Sequence, residues 1–256
     1  MANLSSLFVS TFACSLLMVQ AAHGETFVEQ EVSTRLVVSV LVPEAKAQKW
    51  LPDPWRVSPS ASGASKGANL GLVFSERMLK LDGAGKPAPD AAERTLALNV
   101  LARNTKTGET TGYVIRIYTS NPKNLPGAYS NSRQATIEHD QSSKGTGVSS
   151  GAVSQAWTVR DSKGGSVDFQ VQYESGSLAP SKAESKSYGG SDPTLFRIFR
   201  VEQGVDAAKS TPNGVDRTKG AKLRVTVPDL LDLLDGSEQV ISIVAAPWYV
   251  RHVFLP

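Results

Sequence analysis

Between residues 94 and 173 the chain keeps a period of two. Leu96, Leu98 and Val100 alternate with smaller or polar residues in Arg94-Thr-Leu-Ala-Leu-Asn-Val-Leu-Ala102. Further on, Val167, Phe169, Val171 and Tyr173 alternate with Asp168, Gln170 and Gln172. Side chains on a strand point to opposite faces in turn, so each run has one buried face and one wet face. Turn residues sit where antiparallel neighbours need them. Asn104-Thr-Lys-Thr-Gly108 lies before Gly112-Tyr-Val-Ile-Arg-Ile-Tyr118, and Asp161-Ser-Lys-Gly-Gly165 lies between residues 153–160 and 167–173. Both arrangements predict hairpins. Arg35-Leu-Val-Val-Ser-Val-Leu-Val42 is almost wholly apolar after its first residue and suits a strand covered on both faces. Residues 69–81, 132–139, 195–202, 222–227 and 239–245 complete a mainly β, α+β reading.

Two helices are expected at the periphery. Pro43-Glu-Ala-Lys-Ala-Gln-Lys-Trp-Leu51 has proline at its start and Pro52 as its stop. Pro228-Asp-Leu-Leu-Asp-Leu-Leu-Asp235 precedes Gly236, with its leucines as one stripe. Residues 58–67 and 175–191 are rich in Ser, Gly, Ala and Lys and read as surface loops.

Residues 1–24 carry no Asp, Glu, Lys or Arg, and Ala22-His23-Gly24 offers small residues for cleavage. This predicts a signal peptide over residues 1–24, export to the periplasm or the medium, and one domain over residues 25–256. The apolar stretch is short for a bilayer span, so no stable membrane insertion is expected after cleavage. Cys14, the one cysteine of the chain, falls inside this segment, so the mature protein has no disulfide or thiolate chemistry. Lys and Arg number 27 against 24 Asp and Glu, a balance of +3 with no basic run, which argues against a nucleic-acid partner. Assembly into a homo-oligomer is compatible with this composition.

Few residues can carry chemistry. His139 and His252 have no spacing that builds a metal cluster, so no metal and no cofactor are expected. Gly63-Ala-Ser65-Lys-Gly67 matches the nucleophile-elbow pattern but lacks a strand before it and a helix after it. Glu76, in Phe74-Ser-Glu76-Arg77, shares a face with Phe74. On an inward face its pKa should rise and it could serve as an acid or base, whereas an ion pair would leave it structural. Arg35 opens a buried strand and would want a carboxylate from protein or ligand. Arg133 follows the turn Asn121-Pro-Lys-Asn-Leu-Pro-Gly-Ala-Tyr129, and Glu138-His139-Asp140 ends a strand.

The order of these motifs resembles the acetoacetate decarboxylase-like superfamily. The resemblance rests on Val42-Pro43-Glu44 with Leu51-Pro52-Asp53-Pro54, Phe74-Ser-Glu76, the strand 112–118 leading to Asn121 and Pro126-Gly127, Leu195-Phe-Arg-Ile-Phe-Arg200, and Trp248-Tyr-Val-Arg-His-Val-Phe254. It implies an antiparallel sheet wrapped into a cone-like barrel around a buried pocket for a small oxo-acid ligand. In the family's decarboxylases a Lys-Lys pair follows the glycine turn, and one lysine forms a Schiff base that drains electrons as carbon dioxide leaves. The corresponding stretch here is Tyr129-Ser-Asn-Ser-Arg133-Gln134-Ala-Thr136, with no lysine before Lys144. Arginine stays protonated and cannot replace that amine. The resemblance thus implies Glu76 as the proton-moving residue, and Arg133, Arg35, Tyr129 and Gln134 as ligand-binding residues without an imine. A lyase-like enzyme with altered chemistry, a non-catalytic binding protein, and a decarboxylase using a lysine from elsewhere in the chain all stay open. A lipocalin-type carrier is a further alternative.

Overall fold

The protein is described from a computed structural model covering residues 24–89, 91–147 and 150–256. The expected signal segment, Cys14 included, lies outside the described residues apart from Gly24. The strands are β1 (Thr26–Leu41), β2 (Trp55–Val57), β3 (Leu70–Asp82), β4 (Glu93–Asn104), β5 (Thr110–Thr119), β6 (Ser132–Gly147) and β7 (Ser150–Asp161). They continue with β8 (Ser166–Glu174), β9 (Ala179–Tyr188), β10 (Phe196–Ser210), β11 (Val215–Asp216), β12 (Thr218–Val225) and β13 (Gln239–Leu255). One short helix, α1 (Glu44–Gln48), follows β1.

These strands form one hydrogen-bonded sheet in the order β11-β10-β13-β1-β3-β4-β5-β6-β7-β8-β12, with β2 beside β4 and β9 beside β10. Every named pairing is antiparallel except β5 with β6, a parallel junction of three residue pairs from Ile117↔Ser132 to Thr119↔Gln134. Both expected hairpins are present, with Thr95 opposite Thr119 and Trp157 opposite Phe169.

The sheet wraps on itself. Strands β1, β3, β4, β5, β9, β10 and β13 go round a cavity and form the expected cone. At the β5/β9 seam the named link is an isolated bridge, Val114↔Gly189, so the cone is not a closed barrel. The second half of the sheet, β6, β7, β8 and β12, packs against the cone's outer face. There Leu36, Val38, Leu72, Phe74, Leu96 and Leu98 are fully buried beside Trp157 and Phe169. Phe74 lies 5.5 Å from the Trp157 ring and 5.7 Å from the Phe169 ring, centroid to centroid. Alternation does the rest: while Leu36, Phe74 and Leu96 face this core, Arg35, Ser75 and Ala97 face the cone's interior.

Two expectations need correction. Residues 228–235 do not form a regular helix. A 3₁₀ turn, Pro228–Leu230, is followed by bonds from Leu233 and Leu234 N–H to the Leu230 carbonyl, which bury Leu230, Leu233 and Leu234 and leave Leu231 exposed. The Ser/Lys-rich segment 175–191 contains the strand β9, paired from Phe196↔Tyr188 to Val205↔Ala179. Its residues are nearly all exposed before Ser187 and Tyr188, so it shows no apolar alternation to read.

Candidate functional site

The cone's cavity has two lobes of about 430 and 510 Å3 that share Arg35, Val73, Ala97, Ile117 and Arg251. Each lobe is within the range of small-molecule pockets. The first lobe is the more highly charged, although Arg35, Glu184, Lys186 and Arg251 border the second. Its described lining contains five cations, Arg35, Arg77, Lys80, Lys123 and Arg251, against three carboxylates, Glu29, Glu31 and Glu93. The second lobe is lined by Val114, Tyr129, Phe199, Val201 and Tyr249, with Asn99, Thr111 and Ser187 among its polar groups.

Strand register fixes the centre of the charged lobe. Glu31 on β1 faces Arg251 on β13, and Arg35 stands four residues further along β1, where it also lines the lobe. Arg35 Nη2 and Arg251 Nη2 each donate to Glu31 at 2.6 Å, one to each carboxylate oxygen, and the Ser33 hydroxyl donates at 3.3 Å. Burial alone would raise the Glu31 carboxyl. The combined pull of Arg251 and Arg35 outweighs it and holds the group at about 2. Burial lowers Arg251 in the same way, but Glu31 more than offsets this and its pKa is raised. The Arg35 guanidinium also lies over the Tyr249 ring, 3.5 Å from the centroid. With Glu31 shared between two arginines, Nε of Arg35 and Nε of Arg251 remain buried without a hydrogen-bond partner. Buried donors of this kind are normally satisfied.

Glu93 organises the other side. It is buried, pairs with Arg77, accepts from the Thr119 hydroxyl, and accepts from Asn124 Nδ2 at 2.8 Å. Asn124 belongs to a short 3₁₀ turn, Pro122–Asn124, capped by the Asn121 side chain, which accepts from Lys123 N–H at 3.0 Å. The turn places Lys123 on the cavity wall.

Of the residues singled out from sequence, Arg35 and Tyr129 line the cavity. Tyr129 donates from its hydroxyl to the Ser187 carbonyl at 3.0 Å, and burial raises its pKa. Glu76 is elsewhere. It does share a face with Phe74, but that face is the outer one, toward the second sheet. Arg94 donates to it from Nε and Nη2 at 3.0 and 2.9 Å, and His139 Nδ1 is 2.9 Å away. The ion-pair alternative is the one present: partial burial would raise the Glu76 pKa, but the bonds to His139 and Arg94 lower it. Arg133 bridges Asp161 and Asp229 at 2.6 Å each and, with Gln134, lines a shallow surface groove outside the cone. Neither meets Arg35.

Sequence reading missed Glu31, Arg77, Glu93, Lys123 and Arg251. Lys123 precedes the glycine turn, whereas the resemblance implies a lysine after it. The usable signal was parity: Arg77 lies on the face opposite Phe74, the face that Ser75 shares. Glu31 and Arg251 are 220 residues apart in sequence, and only the pairing of β1 with β13 joins them.

No group of three or more His, Cys, Asp or Glu side chains poised for a metal is found among the described residues. No described helix is long and apolar enough to cross a membrane.

No protein-family model and no curated protein matches this sequence. Solved structures do. An acetoacetate decarboxylase-like enzyme from Sphingomonas wittichii RW1 superposes with a TM-score of 0.55 at 11% identity, covering 96% of this chain and 100% of the other. The enduracididine biosynthesis enzyme MppR complexed with pyruvate gives 0.53 at 12% identity over 92% and 91%. Acetoacetate decarboxylase from Legionella pneumophila gives 0.52 at 9% identity over 97% and 96%. The chain therefore has the acetoacetate decarboxylase-like fold.

Proposed function

We propose that the cone cavity binds a small oxo-carboxylic acid. The observation that carries this reading is the charged lobe itself, where Arg35 and Arg251 on the cavity wall share the single carboxylate of Glu31. A ligand carboxylate would supply the second counter-charge that this arginine pair lacks. Arg35 and Arg251 are the binding residues, and the aromatic second lobe holds the remainder of the molecule. MppR, which shares the fold, has been solved with pyruvate, and this supports the ligand class. The test is calorimetric titration of the protein with pyruvate and acetoacetate, with propionamide as a neutral control. Saturable binding of the acids alone supports the reading, and equal or absent binding of all three overturns it.

Lys123 on the cavity wall favours a second reading, imine formation with the ligand's ketone. Borohydride added with acetoacetate would then leave a reduced adduct that peptide mass mapping places on Lys123. Binding without an adduct keeps the first reading and removes the second. The uncharged, apolar character of residues 1–24 supports export, with exported protein starting near Glu25. N-terminal sequencing of that material tests it.

A further inference from the structure

A second cavity, of about 210 Å3, lies between the two layers of sheet, apart from the charged lobe. One wall is the inner face of β6, β7 and β8, with Gln141 and Ser143 among its polar residues. The other comes from β1, β10 and β13, and Ser175, Gly176 and Leu178 border the space. Where the shared core is full, Trp157 and Phe169 fill the space between the layers. Toward the start of β7 the inward residues shrink to Val153 and the polar Gln155, and space remains.

The groups around that space define a ligand. Val153, Trp157, Tyr173 and Leu178 give it an apolar, aromatic lining. Gln155 is buried, and its carboxamide makes only two long bonds: it accepts from Trp157 Nε1 at 3.3 Å and donates to the Tyr173 hydroxyl at 3.4 Å. A primary amide has two N–H donors and two acceptor lone pairs, so one of each is unused. Charge is already committed. Asp206, the carboxylate of the cavity, pairs with Arg217 and accepts from the Gly176 N–H at 2.8 Å. The guanidinium of Arg35, which also borders the cavity, is held over Tyr249 and on Glu31. A charged ligand would lose its hydration there with nothing to replace it. At the mouth, Leu178 lies beside Trp248 over the bare Cα of Gly204, and both are among the exposed large apolar residues. An apolar cavity of about 150 Å3 is enough to take up benzene.

We propose that this inter-sheet cavity is a binding site for a small, uncharged aromatic molecule bearing one hydrogen-bonding group of the phenol type, with Gln155 reading that group. The cavity lies outside the cone, and Arg35 borders both.

The test uses the full chain and three probes: phenol, toluene and benzoate. Ligand-observed NMR titration is expected to show saturable phenol binding, with benzoate at least tenfold weaker. Gln155→Leu, close in size, is expected to weaken phenol at least fivefold and leave toluene within twofold. Crystals grown with 4-bromophenol supply a readout that needs no variant, with the anomalous bromine peak expected between β7 and β13. Absence of saturable phenol binding, equal loss of phenol and toluene in Gln155→Leu, or a bromine peak in the cone in place of the inter-sheet cavity would each overturn the proposal.

Discussion

Glu31 and Arg251 are directly opposed across the β1/β13 ladder, and their side chains meet at 2.6 Å inside the cone, although the two ends of the chain supply them. Arg35 reaches the other oxygen of the same carboxylate. A buried anion is thus held between two cations, and the cavity wall and the β1/β13 pairing share one ion triad.

Glu31→Gln should cost the fold on the order of 3 kcal/mol, because it leaves two arginines facing each other without their counter-ion. The carboxyl sits at about 2 in the fold, below its ordinary 4.5. Its contribution is therefore complete above about pH 4.5 and is lost as pH falls through 2. Urea unfolding between pH 6 and 2 checks this: stability should drop across that window in the parent chain, with a shallower drop in Glu31→Gln. Equal slopes would remove the triad from the account.

Arg35→Gln should weaken pyruvate or acetoacetate at least tenfold, about 1.4 kcal/mol, because it removes a guanidinium from the residue that lines both lobes of the cavity. Glu76→Gln, on the outer face, should leave that affinity within twofold. Titration calorimetry on both variants decides the matter, and a larger effect from Glu76→Gln would return the site to the face where sequence alone had placed it.

Glu76→Gln should still affect stability, by roughly 0.5–1 kcal/mol, since Arg94 and His139 lose an anionic partner while solvent screens much of the attraction. The folded pKa of Glu76 is lowered, so this contribution is present above the unfolded carboxyl's pKa and fades on acidification through the folded one. Thermal melts at neutral and acid pH should show a deficit for the variant that narrows as the pH falls.

Gly190→Ala should be among the most damaging small substitutions. Gly190 has φ +70°, where a side chain is strained, and an added Cβ would run into the carbonyl oxygen of Tyr129. The Gly190 carbonyl also accepts from the Tyr113 hydroxyl at 2.9 Å. A loss of about 2 kcal/mol or more in chemical unfolding is expected, together with weaker ligand binding because Tyr129 would shift.

Much of the fold was legible because a strand with one apolar face announces itself. Leu96, Leu98 and Val100, and likewise Val167, Phe169 and Val171, are buried as their alternation required. The strand β9 was not, since an edge whose residues mostly face water needs no apolar rhythm. The site was legible only in part. Parity put Phe74 and Glu76 together correctly but could not say which face enclosed a cavity, because both faces of the cone wall are covered. Arg35 could be found, as a cation beginning an apolar strand. The carboxylate it needs, Glu31, is only four residues away, but it becomes a shared counter-ion through Arg251, and that depends on a long-range register that local spacing does not encode.

The seam between β5 and β9 has a mechanical consequence. Other neighbouring staves of the cone share backbone ladders along much of their length, whereas β5 and β9 are joined by the Val114↔Gly189 bridge, the bond from Gly190 N–H to the Val114 carbonyl, and side-chain bonds from Thr111 to the Lys186 carbonyl and from Tyr113 to the Gly190 carbonyl. A solute is expected to enter by parting these two staves, and the amide protons of Gly189 and Gly190 at the seam should trade with heavy water sooner than those of the β1/β13 ladder. If they trade no faster, the cone must fill from another side.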